Sequence, residues 1–318
     1  MEYRMNLHYN TQLFSQTLRA ASQHLKINLR FVEKDYWITL ILKKLSDSRF
    51  CDEAVFKGGT SLSKGYRLIN RFSEDVDLAI VNTTHKTRNE IKTIIRHLEK
   101  DITEELTEIQ EEGITSKGSR YRKSLFQYPS IQRNDPNNRL IVEINSFANP
   151  LPYQKRLIQS MVFDFLDQTN NRSFIEAYQL HPFEINILNK EQTLLEKLVS
   201  LIRFSLDQDP VPSVSSKIRH FYDLFFLAKD DDCMQCIQSD TFKQQFLTLL
   251  EHDRRIFDQP TGWTNRSIAE SPLIRNFDSI WSKLKEQYQS ELSALAYRPI
   301  PDEKEVAQTF IRLSQRIV

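Results

Sequence analysis

The segment FKGGTSLSKGYRLINRFSEDVDLAI, residues 56–80, commits this part of the chain to alternating strand and helix. It holds three of the six glycines, Gly58, Gly59 and Gly65. Before the double glycine, AVFKG (54–58) is a short apolar run of the kind that forms a buried strand. After it, TSLSKGYRLIN sets Leu62, Tyr66 and Ile69 at helical spacing behind Thr60 and Ser61, which suit a helix start. DVDLAIV (75–81) then alternates with the period of a strand. Strand, tight turn, helix and strand therefore follow one another.

Two residues without Cβ let a chain leaving a strand turn sharply and pass close to a ligand. The helix start behind them offers N–H groups and the positive end of its dipole. Gly58, Gly59, Thr60 and Ser61, with Lys57 and Lys64 nearby, thus make a phosphate cradle; taken alone they are equally a tight strand-to-helix turn. Asp75 and Asp77, at i and i+2, project from one side of their strand. Their repulsion is relieved by a cation, and Mg²⁺ with oxygen ligands suits the pair. The plainer reading is the polar face of an edge strand, with Val76 and Leu78 turned the other way. In RLIVEINSF (139–147), Leu140, Val142 and Ile144 form one face, and Ile141, Glu143 and Asn145 the other. Beside the Asp75/Asp77 strand, Glu143 would complete a three-carboxylate metal site; alone it is a solvent-facing residue.

The remaining patterns divide the chain. Residues 8–25, 31–47 and 86–108 read as helices. RYRKSLFQY (120–128) and FEINIL (183–188) read as strands, and EEGITSKGS (111–119) as a loop. From Glu191 the periodicity is helical: 191–206, 216–229, 240–252, 272–296 and 302–317, with DQDPVPSVSS (207–216) as a loop. The expected architecture is an α/β fold, residues 1–190 forming a mixed-sheet domain with N-terminal helices and 191–318 a helical domain contributing to the active-site cleft.

Composition narrows the function. The 318 residues carry a net charge of +1, so overall charge makes no case for nucleic acid. Lys57, Lys64, Arg67 and Arg71, and Arg120, Arg122 and Lys123 with Tyr121, form local basic clusters that could hold a triphosphate or an RNA backbone. No apolar run approaches the roughly 20 residues of a membrane span, and MEYRMNLHYN lacks the apolar stretch of a signal peptide. A cytoplasmic protein is expected. Of the three cysteines, Cys233 and Cys236 form a CxxC with no second pair at zinc spacing, so two thiols near a helix start are favoured over a metal or redox site.

Glycine turn, helix, DxD and a later third acid together resemble the nucleotidyltransferase superfamily related to DNA polymerase beta. FKGGTSLSK and RFSEDVDL more closely resemble the AbiEii-type nucleotidyltransferases, the toxins of AbiE-like phage-defence toxin–antitoxin systems. VEKDYWITLIL, QTLLEKLVSLIR and KIRHFYDLFFLA are similar to further motifs of that family, so the resemblance spans roughly residues 30–230. It departs from the superfamily's compact pattern in a longer gap between the glycines and DxD.

The resemblance implies an NTP over the cradle, Mg²⁺ or Mn²⁺ on Asp75, Asp77 and Glu143, Lys197 facing the nucleotide and Asp223 near the reacting groups. Read from the residues alone, Lys197 is a surface lysine and Asp223 an i,i+4 ion-pair partner of Arg219. Glu196, Arg219 and His220 are further candidates. The acceptor implied is an RNA hydroxyl such as a tRNA 3′ end, and a cognate antitoxin is the implied partner. A small-molecule or protein acceptor, or a non-catalytic nucleotide-binding module, stays open on the sequence.

Overall fold

The apolar runs pair into one mixed sheet. The computed structural model describes residues 6–73, 75–81, 85–132, 135, 138–148 and 150–318. Glu74 of RFSEDVDL lies outside them, as do Arg133, Asn134, Pro136 and Asn137 of the expected turn segment. The strands are β1 (Ala54–Lys57), β2 (Asp75–Ile80), β3 (Thr107–Ile109), β4 (Ser116–Lys117), β5 (Tyr121–Gln127), β6 (Arg139–Asn145), β7 (Tyr153–Ile158) and β8 (Phe183–Leu188). They run in the order β3-β5-β6-β2-β1-β8-β7, with β4 on β5. β2 is parallel to β6 and β1 to β8; the other pairs are antiparallel. The expected mixed-sheet α/β core is what forms.

Strand periodicity decides what each face carries. Val76, Leu78 and Ile80 of β2, and Leu140, Val142 and Ile144 of β6, are all buried. The helix α4 (Arg88–Ile102), opened by a Thr87/Glu90 capping box, packs on β6. Its buried Glu99 accepts from Arg122 Nε at 2.7 Å and Ser124 Oγ at 2.6 Å, which fixes the parity of β5. The opposite face therefore presents Asp75, Asp77, Glu143, Tyr121 and Lys123.

The helices before the sheet are α1 (Thr11–Leu25) and α2 (Leu29–Asp47), and α3 (Gly58–Lys64) follows β1. Residues 31–39 of α2 are all buried, Glu33, Lys34 and Asp35 included. Glu33 accepts from Ser130 Oγ (2.9 Å) and the Ile131 N–H (2.7 Å). Asp35 accepts from Lys64 Nζ and the Met161 N–H, each at 2.7 Å. The charges in VEKDYW thus hold the approach to β6, the end of α3 and the start of α5 (Met161–Gln168). A short α6 (Arg172–Ala177) leads to β8.

The chain divides into two compact units, 1–65 with 72–188, and 66–71 with 189–318. The second comprises α7 (Lys190–Ser205), α8 (Pro210–Ser215), α9 (Ile218–Leu227), α10 (Asp231–Gln238), α11 (Phe242–Ile256), α12 (Pro272–Arg275), α13 (Phe277–Leu295) and α14 (Glu303–Gln315). Phe221, Phe277, Trp281 and Phe310 pack ring against ring within it. Cys233 and Cys236 sit on α10, whose cap Asp230 accepts from the Cys233 N–H. Burial raises both thiols above their ordinary range.

Several elements differ from the sequence reading: β3 begins within the expected helix 86–108, and β4 falls within the expected loop 111–119. The helix after Thr60 stops at Lys64 rather than running on to Asn70. Residues 66–71 instead join the second unit, where the Tyr297 N–H donates to the Asn70 carbonyl (3.0 Å), Tyr297 Oη donates to the Ile69 carbonyl (3.2 Å) and Arg71 bridges to Ala296. The expected loop 207–216 contains α8, because Pro210 at its first turn pre-sets a helical φ.

Candidate active site

The glycine turn and the acids meet directly. Gly58 opens α3 with φ +79°, and a Cβ there would lie 2.1 Å from Asp77 Oδ2. The double glycine thus lets backbone approach a carboxylate. Thr60 Oγ1 donates to the Asp75 carbonyl at 2.5 Å and Ser61 Oγ to the Gly58 carbonyl at 2.8 Å. Both residues are buried. Their hydroxyls tie the turn to itself and to β2. Lys64 is turned away: its ammonium donates to Asp35, Thr39 and the Gln159 carbonyl at 2.7–2.8 Å. Three donors, three acceptors and deep burial give Lys64 a structural place, not the nucleotide contact expected of it.

Across the sheet the register lines up Lys57, Asp77, Glu143 and Lys123 on adjacent strands. Asp75 lies two residues before Asp77 on the same face. The row reads cation, anion, anion, cation, with all four side chains partly exposed. Like charges facing each other on neighbouring strands are unfavourable unless compensated. Tyr121 stands one step along this face, opposite Asn145. Burial raises its phenol above the ordinary range, and the negative charges of Glu143, Asp77 and Asp75 raise it further. All three predicted metal ligands therefore bear on one hydroxyl. The sequence reading placed Tyr121 only among the basic side chains, because nothing in RYRK marks a ring that shares the sheet face of the acids.

The donor chemistry fits a divalent cation. Carboxylate oxygens on one sheet face are the ligands Mg²⁺ takes, with further positions left to water and substrate oxygens. Among the described residues no three His, Cys, Asp or Glu side chains are grouped closely enough to hold a metal ion, so a cation here would need substrate oxygens or water beside the acids.

Lys197 and Asp223 lie in the second unit. Asp223, on α9, is fully buried and accepts from Arg71 Nε and Nη2 and from Lys197 Nζ on α7, all at 2.7 Å. Burial works against its charge, but the two cations hold its carboxyl well below the usual range. The expected Arg219–Asp223 pair does not form; Arg219 bonds Glu291 instead at 2.6 Å. Lys197 is buried rather than superficial, and Arg71, grouped by sequence with the cradle cations, is the bidentate partner of Asp223. His220, beside this cluster, has a buried Nδ1 with no hydrogen-bond partner among the described residues.

A mixed sheet that sets paired strand acids against a glycine turn is laid out for nucleotidyl transfer. The family described as "Nucleotidyl transferase AbiEii toxin, Type IV TA system" matches residues 40–309, and the chain belongs to that family. It is a nucleotidyltransferase, the toxin of a type IV toxin–antitoxin system. No curated protein matches the chain. Among solved structures it is similar in fold to MenT4, a nucleotidyltransferase toxin from Mycobacterium tuberculosis H37Rv, with a TM-score of 0.58 and 18% identity over 94% of this chain and 92% of that one. Among the described residues no helix is long and apolar enough to cross a membrane.

Proposed function

We propose that this toxin transfers a nucleoside monophosphate from an NTP to an RNA hydroxyl, a tRNA 3′ end by family likeness, with Mg²⁺ as the metal. The observation that carries the reading is the packing of Gly58 against Asp77, with Glu143 next in the row. The nucleotide phosphates lie over residues 57–61. Asp75, Asp77 and Glu143 hold the metal, which when bound neutralises phosphate charge. Glu143, farthest from the turn, takes the proton of the acceptor hydroxyl, and pyrophosphate leaves on the turn side. For Lys197 and Asp223 the proposal rests on the family motif: Lys197 is the cation that offsets developing charge, and Asp223 the anion that holds it in place. The partner is a cognate antitoxin, and the compartment is the cytoplasm.

The test is incubation of the full chain with labelled NTPs, Mg²⁺ and total RNA. Wild type labels RNA at its 3′ ends, and Asp75→Ala or Asp77→Ala lowers the rate by on the order of 10²-fold or more. RNA labelling by wild type and variants alike would overturn the roles given to these acids.

A further inference from the structure

A cation and a pair of rings stand together at the far end of the acid row. Of the basic side chains in KGSRYRKS (117–124), two are turned to other tasks. Lys117 pairs with Glu108, and Arg122 reaches Glu99 on the opposite sheet face. Lys123 rises on the face of the acids, directly across from Glu143, which itself lies beside Asp77. It is partly exposed, and its ammonium makes no hydrogen bond or ion pair with a described residue. Opposite charges facing each other across strands gain from pairing, yet this lysine is left open.

Tyr121 stands two residues before Lys123 on the same face, roughly 7 Å away by strand rise. Phe147 packs on its ring, with centroids 5.9 Å apart and planes at 34°. Both rings are partly exposed. The backbone that carries them is pinned: the Gly118 N–H donates to the Tyr121 carbonyl at 2.7 Å, the Ser146 N–H to the Arg120 carbonyl at 3.0 Å, and the Ala148 N–H to Asn145 Oδ1 at 3.1 Å. Proteins hold single-stranded RNA with such parts, a base stacked on an aromatic ring and a backbone phosphate on a cation. The strand order β5-β6-β2-β1 puts them on the side away from the turn at Gly58. In displacement at phosphorus the attacking and leaving oxygens lie roughly in line, on opposite sides of the phosphorus. With pyrophosphate leaving over the β1–α3 turn, the acceptor enters from the β6–β5 side. An RNA backbone nearing Asp75, Asp77 and Glu143 meets like charge, so a cation at that entry favours its approach.

We propose that Lys123, Tyr121 and Phe147 form the acceptor subsite: Lys123 holds a backbone phosphate near the RNA 3′ end, and the Tyr121–Phe147 pair stacks on a terminal base. The inference rests on the RNA reading above and names the residues that recognise that substrate. No bond is made or broken at these side chains. They position the 3′ hydroxyl beside Glu143.

Full-length wild type, Lys123→Gln, Tyr121→Leu and Tyr121→Phe are titrated into a 5′-fluorescent tRNA pool, without NTP, at several salt concentrations. The labelling assay then gives KM for NTP and for tRNA. Lys123→Gln weakens tRNA binding and lowers the slope of log K against log salt by about 0.7, the share of one single-strand phosphate. Tyr121→Leu weakens binding roughly tenfold at an unchanged slope, and Tyr121→Phe, which keeps a ring, binds as wild type does. The two weakened variants raise KM for tRNA and leave KM for NTP unchanged. Melting curves check that each variant folds; if Tyr121→Leu does not, Lys123→Gln and Tyr121→Phe carry the test. A KM for NTP raised by Lys123→Gln with tRNA binding intact puts the lysine on the triphosphate and overturns the inference. Binding lost in Tyr121→Phe also overturns it, because the hydroxyl and not the ring would then be at work. If wild type labels tRNA and Lys123→Gln and Tyr121→Leu bind it as tightly, the inference falls and the RNA reading stands. If wild type neither binds nor labels tRNA, both fall.

Discussion

Gly58 leaves no room for a side chain, and that makes it the sharpest single-residue test of the site. A methyl group there meets Asp77 Oδ2 at 2.1 Å, on a backbone held at φ +79°. The left-handed conformation alone costs a non-glycine residue roughly 1–2 kcal/mol. Relieving the overlap must move Asp77, and a shift of about 1 Å in a reacting group costs about 10²-fold in rate. Gly58→Ala should therefore lose about 1–3 kcal/mol of stability and most of the transfer activity. Gly65→Ala is the comparison: its Cβ meets Ile187 Cδ1, the far end of a flexible side chain, at 2.3 Å. It should cost stability but spare transfer. Thermal melts and labelling assays on both variants decide the matter, and wild-type transfer by Gly58→Ala would sever the turn from catalysis. The double glycine was legible as a place of close approach, but what approaches was not. Asp77 lies nineteen residues on, and only the β1–β2 register brings it to Gly58. In the same way Thr60 and Ser61 read as hydroxyls for a ligand, although their bonds go to the backbone.

Between helices, the Asp223 cluster sets α9 against α7 and the Arg71 segment. One buried carboxylate accepts from two cations, so its removal takes a charged partner from both. Asp223→Ala should cost about 3–5 kcal/mol, the usual penalty for breaking a buried pair from one side. Lys197→Met keeps the aliphatic stem and leaves the bidentate Arg71–Asp223 pair intact, so its cost should stay within about 1–2 kcal/mol. If Lys197 acts on the nucleotide, the Met variant melts nearly as wild type yet transfers poorly; full transfer would confine the lysine to structure. Helical periodicity was enough to find α7, α9, α11 and α14 to within a few residues, because each buries one stripe. It failed after Thr60, where Leu62, Tyr66 and Ile69 keep helical spacing but serve different units. It also failed at α8, where prolines and serines hid a helix that proline starts. β7, α5 and α6 went unread, since LPYQKRLI has little alternation and its edge position leaves Leu157 exposed.

Taken as a whole, the chain is nearly neutral, so its response to pH is set by a few buried groups rather than by net charge. Each unit holds a histidine that burial pushes below its ordinary 6.5. In the first unit His8 meets the Tyr36 hydroxyl through Nδ1 at 2.8 Å and Glu105 through Nε2 at 3.4 Å, and Lys44 opposes its charge. In the second, Lys197, Lys217 and Arg71 oppose the charging of His220, with only Asp223 favouring it. A histidine kept neutral when folded takes up its proton more readily when unfolded. Below about pH 6.5 the unfolded chain then binds more protons, and stability falls as pH falls. Asp223, whose carboxyl is also depressed, adds a loss only below its ordinary 3.8. The two histidines should therefore move melting curves to lower temperature from pH 7 to pH 5, against the opposite trend of Glu33 and Asp35, whose carboxyls burial raises. His8→Gln should flatten that slope for the transition of the first unit, and His220→Gln for that of the second. A slope between pH 7 and pH 5 that neither substitution changes would mean that both imidazoles charge as easily in the folded chain as in the unfolded one, and that neither is held neutral by its surroundings.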